Sequence, residues 1–277
     1  MSALDPRVTP ARGDIAARTL RGLVEAERFV DGRAMRVRSA SAALRRAPSG
    51  DAALDSELLH GEDFTVYDAK AGWAWGQAAL DGYVGYVPET ALGEPGPAPT
   101  HRVTALRTFV FPSADIKRPP ALALSYGARL AVTREEGNWA ATAEGGFVFA
   151  AHLAPLAHTA PDFVATAGRF LGTPYLWGGR SSLGLDCSAL VQLALMGAGI
   201  ASPRDSDQQE AALGSALPPP FDGLARGDLV FWKGHVGLMA DAAQLLHANA
   251  AHMAVTLDPL AEVLPRAGAI RSVRRLA

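Results

Sequence analysis

The chain has 277 residues, a formal net charge of −2, and 49% apolar against 19% charged side chains. At about 100–200 residues per domain this allows one to three domains with real cores, and it excludes a disordered chain. The balanced charge argues against nucleic acid or an anionic membrane as partner, since both demand concentrated Lys and Arg.

The opening residues, Met1-Ser-Ala-Leu-Asp, lack the apolar run of about 7–15 residues of a secretory signal. No stretch nears the roughly 20 apolar residues of a membrane span. A cytoplasmic protein is expected. Residues 1–30 read as an N-terminal extension with a helix over residues 15–29. Short strands follow from Met35: Met35-Arg-Val-Arg, Asp63-Phe-Thr-Val-Tyr, Gly72-Trp-Ala-Trp and Gly82-Tyr-Val-Gly-Tyr-Val. Strands this short, punctuated by Gly, Asp, Pro and Ser, indicate a small β-barrel over residues 31–95.

Gly93-Glu-Pro-Gly-Pro-Ala-Pro-Thr reads as a stiff linker. Similar strands then return in the same order, with Asn138-Trp-Ala-Ala matching Gly72-Trp-Ala-Trp and Gly146-Phe-Val-Phe matching Gly82-Tyr-Val-Gly-Tyr. A second copy of the module is expected over residues 100–157. After Pro161 the texture changes. Residues 162–171 and 187–196 have helical spacing, and Gly197 and Gly199 end the second helix. Asp228-Leu-Val-Phe-Trp, His235-Val-Gly-Leu-Met and Gln244-Leu-Leu-His-Ala then read as strands. Helices followed by antiparallel strands predict an α+β domain over residues 158–277. The basic run Arg271-Ser-Val-Arg-Arg reads as a solvated tail.

Cys187 is the sole cysteine, so no intrachain disulfide can form, which fits a reducing compartment. Asp186 is a natural N-cap, which puts Cys187 in the first turn of its helix, where unpaired amides and the helix dipole favour a thiolate. Asp186 opposes that effect. Cys187 also shares an apolar stripe with Leu190, Val191, Ala194 and Leu195, so a plain buried cysteine is the competing reading. The histidines shift the balance. A turn near residue 241 makes paired positions sum to about 482, which sets His235 opposite His247 on one face of a hairpin. A nucleophile, a base and a group orienting the base then converge: Cys187, His235 holding a thiolate ion pair, and His247, with Asn249 as substitute orienter. A metal held by Cys187 and the two histidines is the alternative, although no further ligand follows at ligand spacing. Neither a metal nor another cofactor is expected.

Pro174-Tyr-Leu-Trp-Gly-Gly, Leu185-Asp-Cys-Ser-Ala-Leu-Val-Gln, Arg204-Asp-Ser-Asp-Gln-Gln, Gly227-Asp-Leu-Val-Phe-Trp and Gly234-His-Val-Gly-Leu resemble the NlpC-type papain-like cysteine peptidases of bacteria. The upstream modules resemble bacterial Src-homology-3-like domains. The resemblance implies a papain-like fold of helices packed on an antiparallel sheet, preceded by two small β-barrels. It implies a catalytic triad of Cys187, His235 and His247, and places Tyr175 as an aid to the nucleophile and oxyanion. Ala189 departs from the glycine usual after the Cys-Ser pair.

Members with two such modules and an Arg-Asp-Ser segment are similar to γ-D-glutamyl-L-diamino-acid endopeptidases. The resemblance therefore implies a thiol protease of wall-peptide recycling. Its substrate would be a muropeptide, L-Ala-γ-D-Glu-diamino acid, with a free L-Ala amine. Asp186 and Asp205 are candidate partners for that amine, with Ser188 and Ser206 as smaller contacts. Arg204 either grips a substrate carboxylate or pairs with Asp205. Glu57, Tyr83 and Tyr86 are the candidate wall from the first barrel, which closes the amine end in related enzymes. Another amidase or acyltransferase of this fold, and an inactive wall-binding module, are the competing functions.

Overall fold

A computed structural model describes residues 4–276. The chain divides into two compact units, Met1–Leu156 and Ala157–Ala277.

The first unit is built of strands. Residues 15–29 do not form the expected α-helix. Ile15–Ala17 pairs in parallel with Arg28–Val30, and only the three residues Arg18–Leu20 are helical, as a 3-10 turn. Gly22, at φ +83°, breaks the run, and Ile15, Ala16 and Ala17 are buried one after another. Consecutive burial on both sides suits a strand and not an amphipathic helix. A seven-stranded antiparallel sheet follows. Its order is Leu54–Leu59, Ser41–Arg45, Val84–Pro88, Trp73–Ala78, Asp63–Lys70, Arg33–Val37 and Leu92–Gly93. Ser41–Arg45 and Val84–Pro88 alternate between buried and half-buried positions, the period of a sheet with one face on a core. Val37, Leu44, Leu58, Phe64 and Val87 form that core.

The proline-rich segment is strapped to this sheet. Arg36 Nη1 donates to the carbonyls of Gly96 and Pro97, and Arg38 donates to that of Glu94. Residues 101–155 make three sheets of two or three strands. The succession hairpin, strand, 3-10 turn, strand occurs in both halves. In each, a tryptophan opens the second hairpin strand and pairs with the residue just before the 3-10 turn: Trp73 with Pro88, Trp139 with Phe149. The halves meet at Gly61, where an added Cβ would lie 2.1 Å from the Arg129 carbonyl oxygen. Gly61 is also at φ +79°, so both space and conformation demand glycine there.

The second unit sets helices on a six-stranded antiparallel sheet. The order is Ser215–Ala216, Ser272–Arg275, Leu229–Trp232, His235–Met239, Gln244–Asn249 and Ala254–Pro259. The basic run near the C-terminus is therefore largely a strand: Arg275 lies in an ion pair with buried Asp228. Helix α1 (Phe163–Gly168) is capped by Asp162 and continues to Leu171 only as 3-10 turns. Helix α2 (Cys187–Gly197) is buried on nearly every side and packs on α1 and on the strands His235–Met239 and Gln244–Asn249. The stripe read from the sequence is one side of a wholly internal helix. Helix α3 (Ser206–Ala212) follows, and α4 (Leu260–Ala267) covers Val230, Trp232, Met239 and Leu245 through Val263.

Candidate active site

Cys187 is the first residue of α2. The Asp186 carboxylate caps that helix by accepting from the Ala189 amide at 2.9 Å. Ala189 itself is fully buried. The amides of Val236 and Ser188 hydrogen-bond the sulfur and favour a thiolate, but burial and then the Asp186 charge outweigh them. The thiol is pushed up to about 12. Burial, His247 and Arg266 push the His235 imidazole down to about 4. Burial thus works against both charged forms, the thiolate and the imidazolium of the ion pair expected from the sequence. Desolvation of both groups exceeds the stabilisation available from one turn of helix.

His235 Nε2 lies 2.8 Å from His247 Nδ1. The register differs from the expected one. Leu238 pairs with Leu246 and Met239 with Leu245, so paired positions sum to 484 and His247 lies diagonal to His235. The two remain on one face because the shift is two residues. Diagonal neighbours across strands are still within reach of long side chains. Asn249 does not orient His235: its Nδ2 donates to Thr256 and its Oδ1 accepts from the His252 amide. The Val236 amide on the Cys187 sulfur ties the start of the His235 strand to the start of α2.

Tyr175 is held between two segments, by a bridge to Leu185 and by its amide on the Met253 carbonyl. Its hydroxyl is pushed up to about 12 by burial, then by the nearby Cys187 and Asp186. It stays protonated at neutral pH and is available as a donor.

Arg204, the candidate for a substrate carboxylate or for Asp205, lies buried against Asp186. Its guanidinium, 1% exposed, grips Asp186 with two prongs, at 2.9 Å to Oδ1 and 2.7 Å to Oδ2. Asp186 also accepts from the Gly178 amide and the Ser188 hydroxyl. Both of its oxygens are thereby held by protein donors, next to Cys187 in the chain. Ser188 is drawn into the same cluster, accepting from Arg204 at 3.0 Å. Asp205 and Ser206 sit half-buried at the start of α3, where Asp205 forms a capping box with Gln208. Gln209 fastens α3 to α2 by donating to the Ser188 carbonyl at 2.9 Å. In the first unit, Glu57 lies opposite Ala43 and Tyr86 opposite Arg45, which puts both on the outer face of the sheet. Tyr83 is 6% exposed and belongs to the core under the seven-stranded sheet. It alternates with Val84 and Tyr86 and so faces inward in this sheet.

Two residues at the site escaped the sequence reading. Asp258 Oδ2 lies 3.2 Å from His247 Nε2, and Arg266 of α4 is paired with Asp258. His247 pairs with Thr256 across the sheet, so Asp258 is its diagonal neighbour. Extending the hairpin count to a third strand would have found it. Among the described residues, no three His, Cys, Asp or Glu side chains are grouped to hold a metal ion, and no helix is long and apolar enough to cross a membrane.

A thiol at the start of a buried helix, with two hydrogen-bonded imidazoles on the adjoining antiparallel strands, is the arrangement of a papain-like cysteine peptidase. Residues 172–273 match the NlpC/P60 family, and residues 44–92 match the bacterial dipeptidyl-peptidase Sh3 domain. The second unit thus carries an NlpC/P60 domain, and a bacterial Sh3 domain precedes it in the chain.

The chain is 28% identical over 244 residues to a gamma-D-glutamyl-L-lysine dipeptidyl-peptidase of Bacillus cereus, over 75% of this chain and 71% of that one. It is 36% identical over 115 residues to the Bacillus subtilis protein of the same name, spanning 38% of each. A crystal structure of an NlpC/P60 family protein from Bacillus cereus shares the fold, with a TM-score of 0.75 at 22% identity, over 88% of this chain and 99% of that one.

Proposed function

We propose that the chain hydrolyses the amide between γ-D-Glu and the diamino acid of wall-derived peptides that begin with a free L-Ala. The observation that carries the catalytic part is the 2.8 Å contact of His235 with His247, on the strand whose next amide binds the Cys187 sulfur. The names of the Bacillus relatives support the bond and the substrate class. The two-module reading of residues 31–95 and 100–157 and the recycling role belong to this same proposal.

In this reading Cys187 attacks the γ-carbonyl carbon of D-Glu as its proton passes to His235. The oxyanion is met by the Cys187 amide at the helix start and by the Tyr175 hydroxyl. Collapse of the intermediate breaks the C–N bond, and His235 returns the proton to the departing amine. Water, deprotonated by His235, then cleaves the thioester and regenerates the thiol. Asp186, beside the nucleophile, and Asp205, in the Arg-Asp-Ser segment, are the carboxylates for the substrate amine.

Mass spectrometry of the protein incubated with L-Ala-γ-D-Glu-diaminopimelate tests this. Release of L-Ala-D-Glu and the free diamino acid, blocked by acetylating the L-Ala amine, is expected. Equal turnover of the acetylated peptide would remove amine recognition. Faster digestion of intact wall than of the free peptide would remove the recycling role.

A further inference from the structure

The hydrogen-bond chain that begins at His235 continues past His247 to Asp258, and its end decides the state of its beginning. Asp258 lies on the strand Ala254–Pro259 with its side chain 12% exposed. Burial works to raise its carboxyl, but hydrogen bonds from His247, Arg266 and Thr256 hold it below its ordinary range. Thr256 is free to give that bond because its own oxygen accepts from Asn249 at 2.8 Å. Asp258 is therefore ionised and can only accept.

A neutral imidazole carries one ring proton, and burial keeps both His235 and His247 neutral. The 3.2 Å contact with the Asp258 carboxylate then puts the His247 proton on Nε2. This leaves His247 Nδ1 with a lone pair, so the 2.8 Å contact is a bond donated by His235 Nε2–H. The His235 proton is thus on Nε2, and its Nδ1 is bare, as a base that takes a thiol proton requires. The protons are assigned by the network and follow from one fixed carboxylate.

We propose that Asp258 is a positioning residue of the peptidase, which acts through His247 to fix the tautomer of His235. The proposal rests on the reading of Cys187 and His235 as nucleophile and base. Arg266 is the countercharge that keeps Asp258 ionised. His252, whose Nδ1 is 3.6 Å from Asp258 Oδ2, is the other titratable group facing it, beside His247 and Arg266.

The test is Asp258→Asn in the full chain. The carboxamide can donate to His247 Nε2, which moves the His247 proton to Nδ1 and that of His235 onto the nitrogen needed for catalysis. Nitrogen-15 NMR of histidine-labelled protein reads both rings directly, with resonances assigned by their loss in His235→Gln and His247→Gln. Both rings are expected to exchange their protonated nitrogen. The kcat, normalised to titratable Cys187, should fall by a factor on the order of 10²–10⁴ with KM within about threefold. Asp258→Glu should restore most of it.

Rings that keep their wild-type tautomers in Asp258→Asn would overturn the proposal. So would a loss of activity matched by the loss of folded, titratable Cys187. If Asp258→Asn does not fold, the wild-type spectrum decides: His235 protonated on Nδ1 in the resting protein excludes the assignment. A wild type that cleaves no wall peptide would sink the proposed function and leave the spectrum to judge the tautomers by itself.

Discussion

The buried pair of Arg204 and Asp186 is a strong lever on the catalytic unit. Asp186 accepts five hydrogen bonds, two of them charge-assisted from Arg204 at 2.7 and 2.9 Å. Replacing Arg204 by Met removes both and leaves a carboxylate uncompensated in the interior. Breaking a buried pair on one side costs about 3–5 kcal/mol, a large share of the roughly 5–15 kcal/mol that holds a domain. Asp186→Asn keeps a good helix cap but strands the guanidinium, at a similar cost. The double variant leaves no stranded charge and should recover to within about 1–2 kcal/mol of wild type. Pulse-labelling of Cys187, the sole and buried cysteine, with a thiol reagent across a urea series reports unfolding of this unit. Singles that cost under about 1 kcal/mol, or a double as unstable as either single, would refute the assignment of Arg204 to the fold.

Other outcomes are equally specific. With the thiol at about 12, roughly one part in 10⁵ is thiolate at pH 7. Alkylation of Cys187 should therefore climb about tenfold per pH unit from pH 7 to 10; a plateau from pH 5 to 8 would reveal an ion pair instead. His235, pushed down to about 4, is neutral above that value, so kcat/KM should hold on acidification and fall only as pH drops through about 4. An acid limb near 6.5 would contradict this. Tyr175→Phe removes one oxyanion donor and should lower kcat by about 10²–10³, with KM little changed; steady-state kinetics on the tripeptide decides. Gly179→Ala would set a Cβ 2.6 Å from the Gly184 carbonyl oxygen. It should destabilise by about 1–3 kcal/mol, read by the same Cys187 labelling, and a neutral result would mean the loop has room.

Much of this architecture is legible in the residues because local chemistry and tertiary packing agree there. Asp186 caps α2 just as its type suggests, and the alternation in Ser41–Arg45 and Val84–Pro88 survives unchanged in the sheet. Residues 15–29 misled because their helical spacing is weak beside the pairing of Ile15–Ala17 with Arg28–Val30, thirteen residues away. Long-range pairing leaves no mark in a local window. The same limit explains Arg204, whose neighbour in sequence is Asp205 but whose partner in space is Asp186, and Asp258, which joins the site only through a third strand. Charge states were the hardest to foresee. The helix dipole is visible in the sequence, whereas the burial that outweighs it exists only after folding.

The burial that pushes the Cys187 thiol toward its protonated form has a consequence for chemical endurance. Peroxide, like an alkylator, attacks the thiolate, and oxidation beyond the sulfenic acid is irreversible for most proteins. A lone cysteine has no intrachain partner to rescue a sulfenic acid as a disulfide. Keeping Cys187 as a thiol until substrate arrives is thus its own protection. Trapping with a sulfenic-acid reagent should show slow oxidation of the free enzyme by hydrogen peroxide at pH 7. Oxidation as fast as that of an exposed, ion-paired cysteine would mean that the shelter is absent.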